Sequence, residues 1–182
     1  MIKIRQLIAL LFALATGPVW ADGASNAWPQ AAFPEYGFSV GMPCQPNAVE
    51  TKKVEGLVIS RCEIGGNLYL VVAGEADKLT FGGRVKDSRY DNVLSGAKNP
   101  AVKNDGFTLP DEQLVMGLRS FTTKQVKSGG VIYNRWIELD ADHILMLADG
   151  CSPNTNSAGC NDDETMHSDA LKFFGSFGVS AK

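Results

Sequence analysis

The chain has 182 residues, 17 Lys and Arg against 20 Asp and Glu, a formal net charge of −3 and 45% hydrophobic residues. That length suits one domain with a sizeable core, since domains run to about 100–200 residues. The acidic balance and the lack of clustered Lys and Arg exclude a nucleic-acid partner or an anionic membrane surface as the expected target.

In chain order, residues 1–21 read as a secretory signal peptide. Lys3 and Arg5 open it, an apolar run from Leu7 to Ala15 follows, and Gly17-Pro18 leads to Val19 and Ala21 at the −3 and −1 positions of a cleavage site. The run is far short of the roughly 20 residues of a membrane span, so we expect no span and a periplasmic or secreted protein cleaved near Ala21. Losing Lys3 and Arg5 leaves 15 cationic against 20 acidic residues, a charge of −5 that favours solubility. Residues 22–34, rich in Ala, Pro and Asn, read as an extended leader to a single domain over 35–182.

From Glu35 the pattern is β. Tyr36 to Met42 alternates up to Pro43, a polar strand spans about Ala48 to Val54, Glu55-Gly56 turns it into Leu57 to Ile64, and Gly65-Gly66 turns that into Leu68 to Ala73. This is an antiparallel meander, with the apolar run Leu68 to Val72 as a strand covered on both faces. Between Val85 and Lys98 the period changes: Tyr90, Val93, Leu94 and Ala97 fall three to four apart and predict a helix that Pro100 ends. Three further strands are expected at about Gln113 to Lys124, Val131 to Leu139 and His143 to Ala148. Asn161 with Glu164 resembles a capping box, and Met166, Ala170, Phe173, Phe174 and Phe177 form one apolar stripe on a closing helix.

Four cysteines in an exported chain point to disulfides and allow three pairings. Cys44 continues the parity of Tyr36, Phe38, Val40 and Met42, and Cys62 shares a face with Val58, so neighbouring strands would bring Cys44 and Cys62 together. Cys151 and Cys160 bracket the polar loop Ser152 to Gly159 and would close it. No Cys-x-x-Cys is present, so no zinc site is expected.

The segments Phe33 to Pro43 (Phe-Pro-Glu-Tyr-Gly-Phe-Ser-Val-Gly-Met-Pro) and Ala170 to Phe177 (Ala-Leu-Lys-Phe-Phe-Gly-Ser-Phe), with the Gly-Gly hairpin, the mid-chain helix and the hairpin Met116 to Met146, resemble the small exported domains of the PsbP-like and DcrB-like group. The resemblance implies an α+β fold with a central antiparallel sheet flanked by helices, an α/β/α sandwich. It also implies a partner-binding or assembly role in an exported compartment, and it brings no catalytic motif to carry over. The four cysteines depart from the group's usual pattern.

Chemistry-bearing constellations are sparse. His143 stands beside Asp140 and Asp142, a pairing that can tune an imidazole, but a solvated turn explains it as well. His167 falls one residue off the apolar stripe and reads as surface. No Gly-x-Ser-x-Gly supports a nucleophile. Asp149, Asn154, Asn156, Asn161, Asp162, Asp163 and Glu164 offer oxygen ligands, yet an EF-hand begun at Asn154 puts Ala158 fifth and Thr165 twelfth, so helix capping is the better account. No catalytic, cofactor or metal residue is therefore expected. The expected function is a non-catalytic protein-binding or assembly module, with an inhibitor or immunity-type protein that blocks a toxin or hydrolase as the alternative. The candidate contact residues are Asn154 and Asn156 in the polar loop and Trp136, which alternates opposite to Tyr133 and Ile137 and so faces either a helix or a partner.

Overall fold

The computed structural model describes residues 28–77, 89–127, 130–151 and 163–179. The meander forms as the turn residues dictate. Strand β3 (Glu50–Val54) reverses through Glu55-Gly56 into β4 (Leu57–Ile64), and Gly65-Gly66 reverses β4 into β5 (Asn67–Glu75). Both turn pairs take positive φ, 47° and 81° at Glu55 and Gly56, 61° and 90° at Gly65 and Gly66, which matches the twist of two-residue hairpins.

The second block holds four strands where three were expected. Met116 and Gly117 take φ of 52° and 81° and split the first of them into β6 (Asp111–Val115) and β7 (Leu118–Lys127). Strands β8 (Gly130–Glu138) and β9 (His143–Cys151) complete a seven-stranded antiparallel sheet in the order β3-β4-β5-β9-β8-β7-β6. Strand β5 lies inside it, as its continuous apolar run requires.

One central sheet was expected, and a second one is present. Strand β1 (Gln30–Phe33) pairs with β2 (Phe38–Gly41), which also pairs with the short C-terminal β10 (Gly178–Val179). Part of the segment read as a leader is thus folded. Phe33 is buried and stacks on Phe38 at 4.7 Å, and Trp28 packs edge-on against Tyr69 at 5.5 Å.

The core has two layers, one on each face of the large sheet. On one face, helix α1 (Tyr90–Lys98) seats Tyr90, Val93, Leu94 and Ala97 against Val72, Phe121, Trp136 and Ile144. On the other, helix α2 (Asp163–Gly175) and the small sheet cover Val58, Tyr69, Val71, Tyr133, Ile137, Leu145 and Leu147. The stripe Met166, Ala170, Phe173, Phe174 and Phe177 is buried throughout. Past α2 the chain is pinned by Ser176: its Oγ accepts from the Gly41 peptide N–H at 2.9 Å and lies 2.6 Å from the Phe173 carbonyl oxygen. Only a glycine fits at 41, because a Cβ there would stand 2.9 Å from the Cβ of Ser176.

Cys44 and Cys62 form a disulfide with a Cα–Cα distance of 6.1 Å. They are joined for a different reason from the one the strand parity offered. Strands β2 and β4 lie in different sheets, and Cys44 stands past the end of β2, so the bridge ties the segment leaving the small sheet to β4 of the large one. Two bridges were expected and the described residues hold one; Cys160, and with it the Cys151–Cys160 pairing, lies outside them. Replacing Cys44 and Cys62 together by Ala opens a loop with a sequence separation of 18 and is expected to cost about 3 kcal/mol in urea melts. An unchanged midpoint would show that the bridge constrains nothing that burial does not already hold.

Candidate functional site

The small sheet is narrower than the face it covers. Beyond β1 the face of β3 and β4 is left open, and the result is a groove of about 400 Å³. One wall is the segment Pro29 to Glu35, and the floor is formed by Val49, Thr51, Lys53, Val58 and Ser60, with Met42 and Cys44 at the back. Val58, Met42 and Cys44 are buried, so the back of the groove is apolar and continuous with the core.

Two polar pairs mark the groove. The hydroxyls of Thr51 and Ser60 lie 2.8 Å apart, and Lys53 Nζ meets Glu35 Oε2 at 2.9 Å. The Glu35 carboxylate, by its hydrogen bond and then its charge, holds the Lys53 ammonium above its ordinary range. That pair is exposed and adds little stability. Its position at the Pro34 end still sets one charged boundary to an otherwise neutral trough.

Strand β1 is an edge. Among the described residues it pairs only with β2, and its Gln30, Ala31 and Ala32 bear no charge that would repel another strand. Pro29 and Pro34 bound it. The opposite rim differs: β3 carries Lys52 and Lys53 and is exposed at every residue, which is how natural edges discourage pairing. The groove therefore has one open edge and one guarded edge.

The residues singled out from the sequence fall elsewhere. Trp136 is only 2% exposed, stacked on Phe121 with centroids 6.3 Å apart in the layer under α1, and so has no surface to offer a partner. Both alternating sets on β8 are covered, Trp136 by α1 and Tyr133 with Ile137 by the α2 layer. Asn154 and Asn156 lie outside the described residues. His143 opens β9 just past the turn: its Nδ1 lies 2.8 Å and 3.0 Å from the two Asp140 carboxylate oxygens, and one of those oxygens also accepts from the peptide N–H groups of Asp142 and His143. Burial raises the Asp140 carboxyl, and the hydrogen bonds from Asp142 and His143 outweigh it and hold the group below its ordinary value. His167 is exposed on α2 with its ring 5.4 Å from that of Tyr133.

One buried group was not singled out in its own right. Asp149 shares the parity of Leu145 and Leu147, which in a strand places its side chain in the core beneath α2. Its exposure is 0%. The alternation was readable, but the acidic run that follows drew Asp149 into a solvent-facing cluster. Among the described residues no group of three or more His, Cys, Asp or Glu is placed to hold a metal ion.

No family model matches the chain, and no curated protein does. A solved structure that matches is described as that of the immunity protein TplEi of T6SS from Pseudomonas aeruginosa complexed with "L" peptide. It has a TM-score of 0.41 and 9% identity over 80% of this chain and 59% of that one, so the chain spans less than two thirds of its length. Among the described residues no helix is long and apolar enough to cross a membrane.

Proposed function

We propose that this chain is an exported, non-catalytic protein-binding module that takes an extended segment of its partner as a further strand on β1. The groove along that edge carries the reading. A strand laid antiparallel or parallel to β1 would satisfy its outer peptide groups and roof the open floor of Val49, Thr51 and Val58, widening the small sheet to match the face beneath it. Main-chain hydrogen bonds would supply affinity, and alternate side chains pointing to the floor would supply selectivity. The Cys44–Cys62 bridge at the back fixes the two sheets, so little ordering is lost on binding. The signal-like residues 1–21 and the disulfide support a periplasmic or secreted setting, and the likeness of Phe33 to Pro43 and Ala170 to Phe177 to PsbP-like domains supports a binding role.

A phage-displayed library of random decapeptides tests this. Thr51 is exposed on the groove floor, so Thr51→Trp fills the trough without entering the core. Peptides selected on the wild type are expected to lose roughly tenfold or more in affinity on Thr51→Trp, and to slow amide exchange at Gln30–Phe33. Equal binding to both, or protection only at other segments, would move the binding surface away from this groove.

A further inference from the structure

We propose that Asp149 acts as a proton latch for α2: the helix seats on the large sheet with Asp149 as a neutral carboxylic acid, and loosens when that proton is lost. The inference is independent of what the groove binds. Both carboxylate oxygens are fully buried and, among the described residues, neither has a well-formed hydrogen-bond partner. Directly across the ladder stand Tyr69 on β5 and Tyr133 on β8, and both belong to the same buried layer. An ionised carboxylate in such a place has lost its water and gained in return only a weak pull from the Gly150 peptide N–H, so the group takes up a proton instead.

The charges around it deepen the effect. From α2, Asp169 lies close enough to repel a second negative charge, and its carboxylate is itself held by Asn67 Nδ2 at 3.2 Å. Cations that pack on this layer lie over aromatic rings: Arg135 over Phe174 at 4.9 Å, Lys172 over Trp28 at 4.6 Å and Lys124 over Tyr133 at 5.7 Å, with Arg135 also donating to Thr122 Oγ1 at 3.3 Å. His167 lies on the outer side of Tyr133, and Cys151 is two residues further along β9. Burial first and Asp169 second push the Asp149 carboxyl up to about 8, against a weaker downward pull from the Gly150 peptide N–H. Burial also raises the Tyr69 phenol, so that side chain stays neutral beside it.

In the unfolded chain the group has its ordinary value of 3.8, so between about pH 4 and pH 8 the folded state binds the extra proton. Stability from this group is therefore fully present below pH 4, falls as pH rises through that window, and is constant above it. The feature is built around α2, whose end leads through Ser176 into β10 and the small sheet, so loosening there would reach the strands that precede the groove.

Urea unfolding of the wild type and Asp149→Asn from pH 5 to pH 9 tests the latch. The wild-type folding constant is expected to fall with rising pH by up to roughly tenfold per unit more steeply than that of Asp149→Asn, which keeps the neutral shape but cannot ionise. Protection of the α2 amides, after the intrinsic rise of exchange with pH is divided out, should fall between pH 6 and pH 9 in the wild type alone, and Asp169→Asn should shift the wild-type midpoint downward. Equal slopes in wild type and Asp149→Asn would overturn the proposal. So would added calcium stabilising the wild type but not Asp149→Asn at pH 8, since the carboxyl would then serve a cation. Should Asp149→Asn fail to fold, a carbon-13 titration of the Asp149 carboxyl in the wild type decides: a midpoint near the ordinary value defeats the latch.

Discussion

Phe174→Ala is expected to destabilise the protein by about 3–5 kcal/mol, read as a lowered urea midpoint at unchanged slope. Phe174 is almost fully buried, lies 5.9 Å from the ring of Phe173, and has the Arg135 guanidinium over its face. Truncation leaves a ring-sized void between α2 and the sheet and strips the partly buried Arg135 of the ring it rests on. The Arg135 guanidinium, pulled down by burial with a smaller opposing effect of Asp111, is otherwise held by its hydrogen bond to Thr122 Oγ1 at 3.3 Å. A loss below about 1 kcal/mol would mean that α2 is not seated as described.

Trp136→Ala should cost a similar amount, about 3–5 kcal/mol, from the opposite side of the sheet. Its ring stacks on that of its cross-strand neighbour Phe121 beneath α1, and Phe121 in turn meets the ring of Tyr90 on α1 at 5.6 Å. Burial pushes the Tyr90 phenol up to about 12, with the Arg119 guanidinium pulling the other way. Loss of the indole should therefore loosen α1 and bring the Tyr90 titration back toward its ordinary value of 10.0, which absorbance titration at 295 nm can follow. A Trp136→Ala protein as stable as the wild type, with a selected partner no longer bound, would return this residue to the role of surface contact.

The comparison of these two sites shows where the sequence was readable. The stripe on α2 could be read because helical spacing leaves one solution for where Met166, Ala170, Phe173 and Phe174 go, while Phe177 joins the same core from just past the helix end. Alternation on β8 could not decide between faces, since both are covered and Trp136 carries no mark of which layer it joins. The turn at Met116-Gly117 has its glycine in the same place as Glu55-Gly56, but the apolar Leu114, Val115, Met116 and Leu118 on either side of it read as one continuous strand. Strand β1 escaped notice for another reason: four residues of small or neutral type between two prolines have no period of their own. The groove was beyond reach from the sequence, because its wall comes from residues 29–35 and its floor from Val49 to Ser60, brought together by the stacking of two sheets. The Cys44–Cys62 pair was found through parity although the strands concerned are not neighbours, since burial on a common core is what the parity recorded.

The contact between Gly41 and Ser176 joins residues 135 apart in the chain, and β10 completes a sheet begun by β1 and β2. The runs β1-β2, β3-β4-β5 and β6-β7-β8-β9 can form from residues close in sequence; the pairing of β5 with β9 and that of β2 with β10 cannot. A chain emerging from its N-terminus holds Phe33, Phe38 and Val40 without their cover until its last turn of helix has been made. Folding is then timed by long closures, the last of them the seating of α2 and β10 on the first two strands, rather than by the quick local steps that precede them. Until that closure the nascent protein stays open, with the apolar side of its first two strands available to whatever binds unfinished chains.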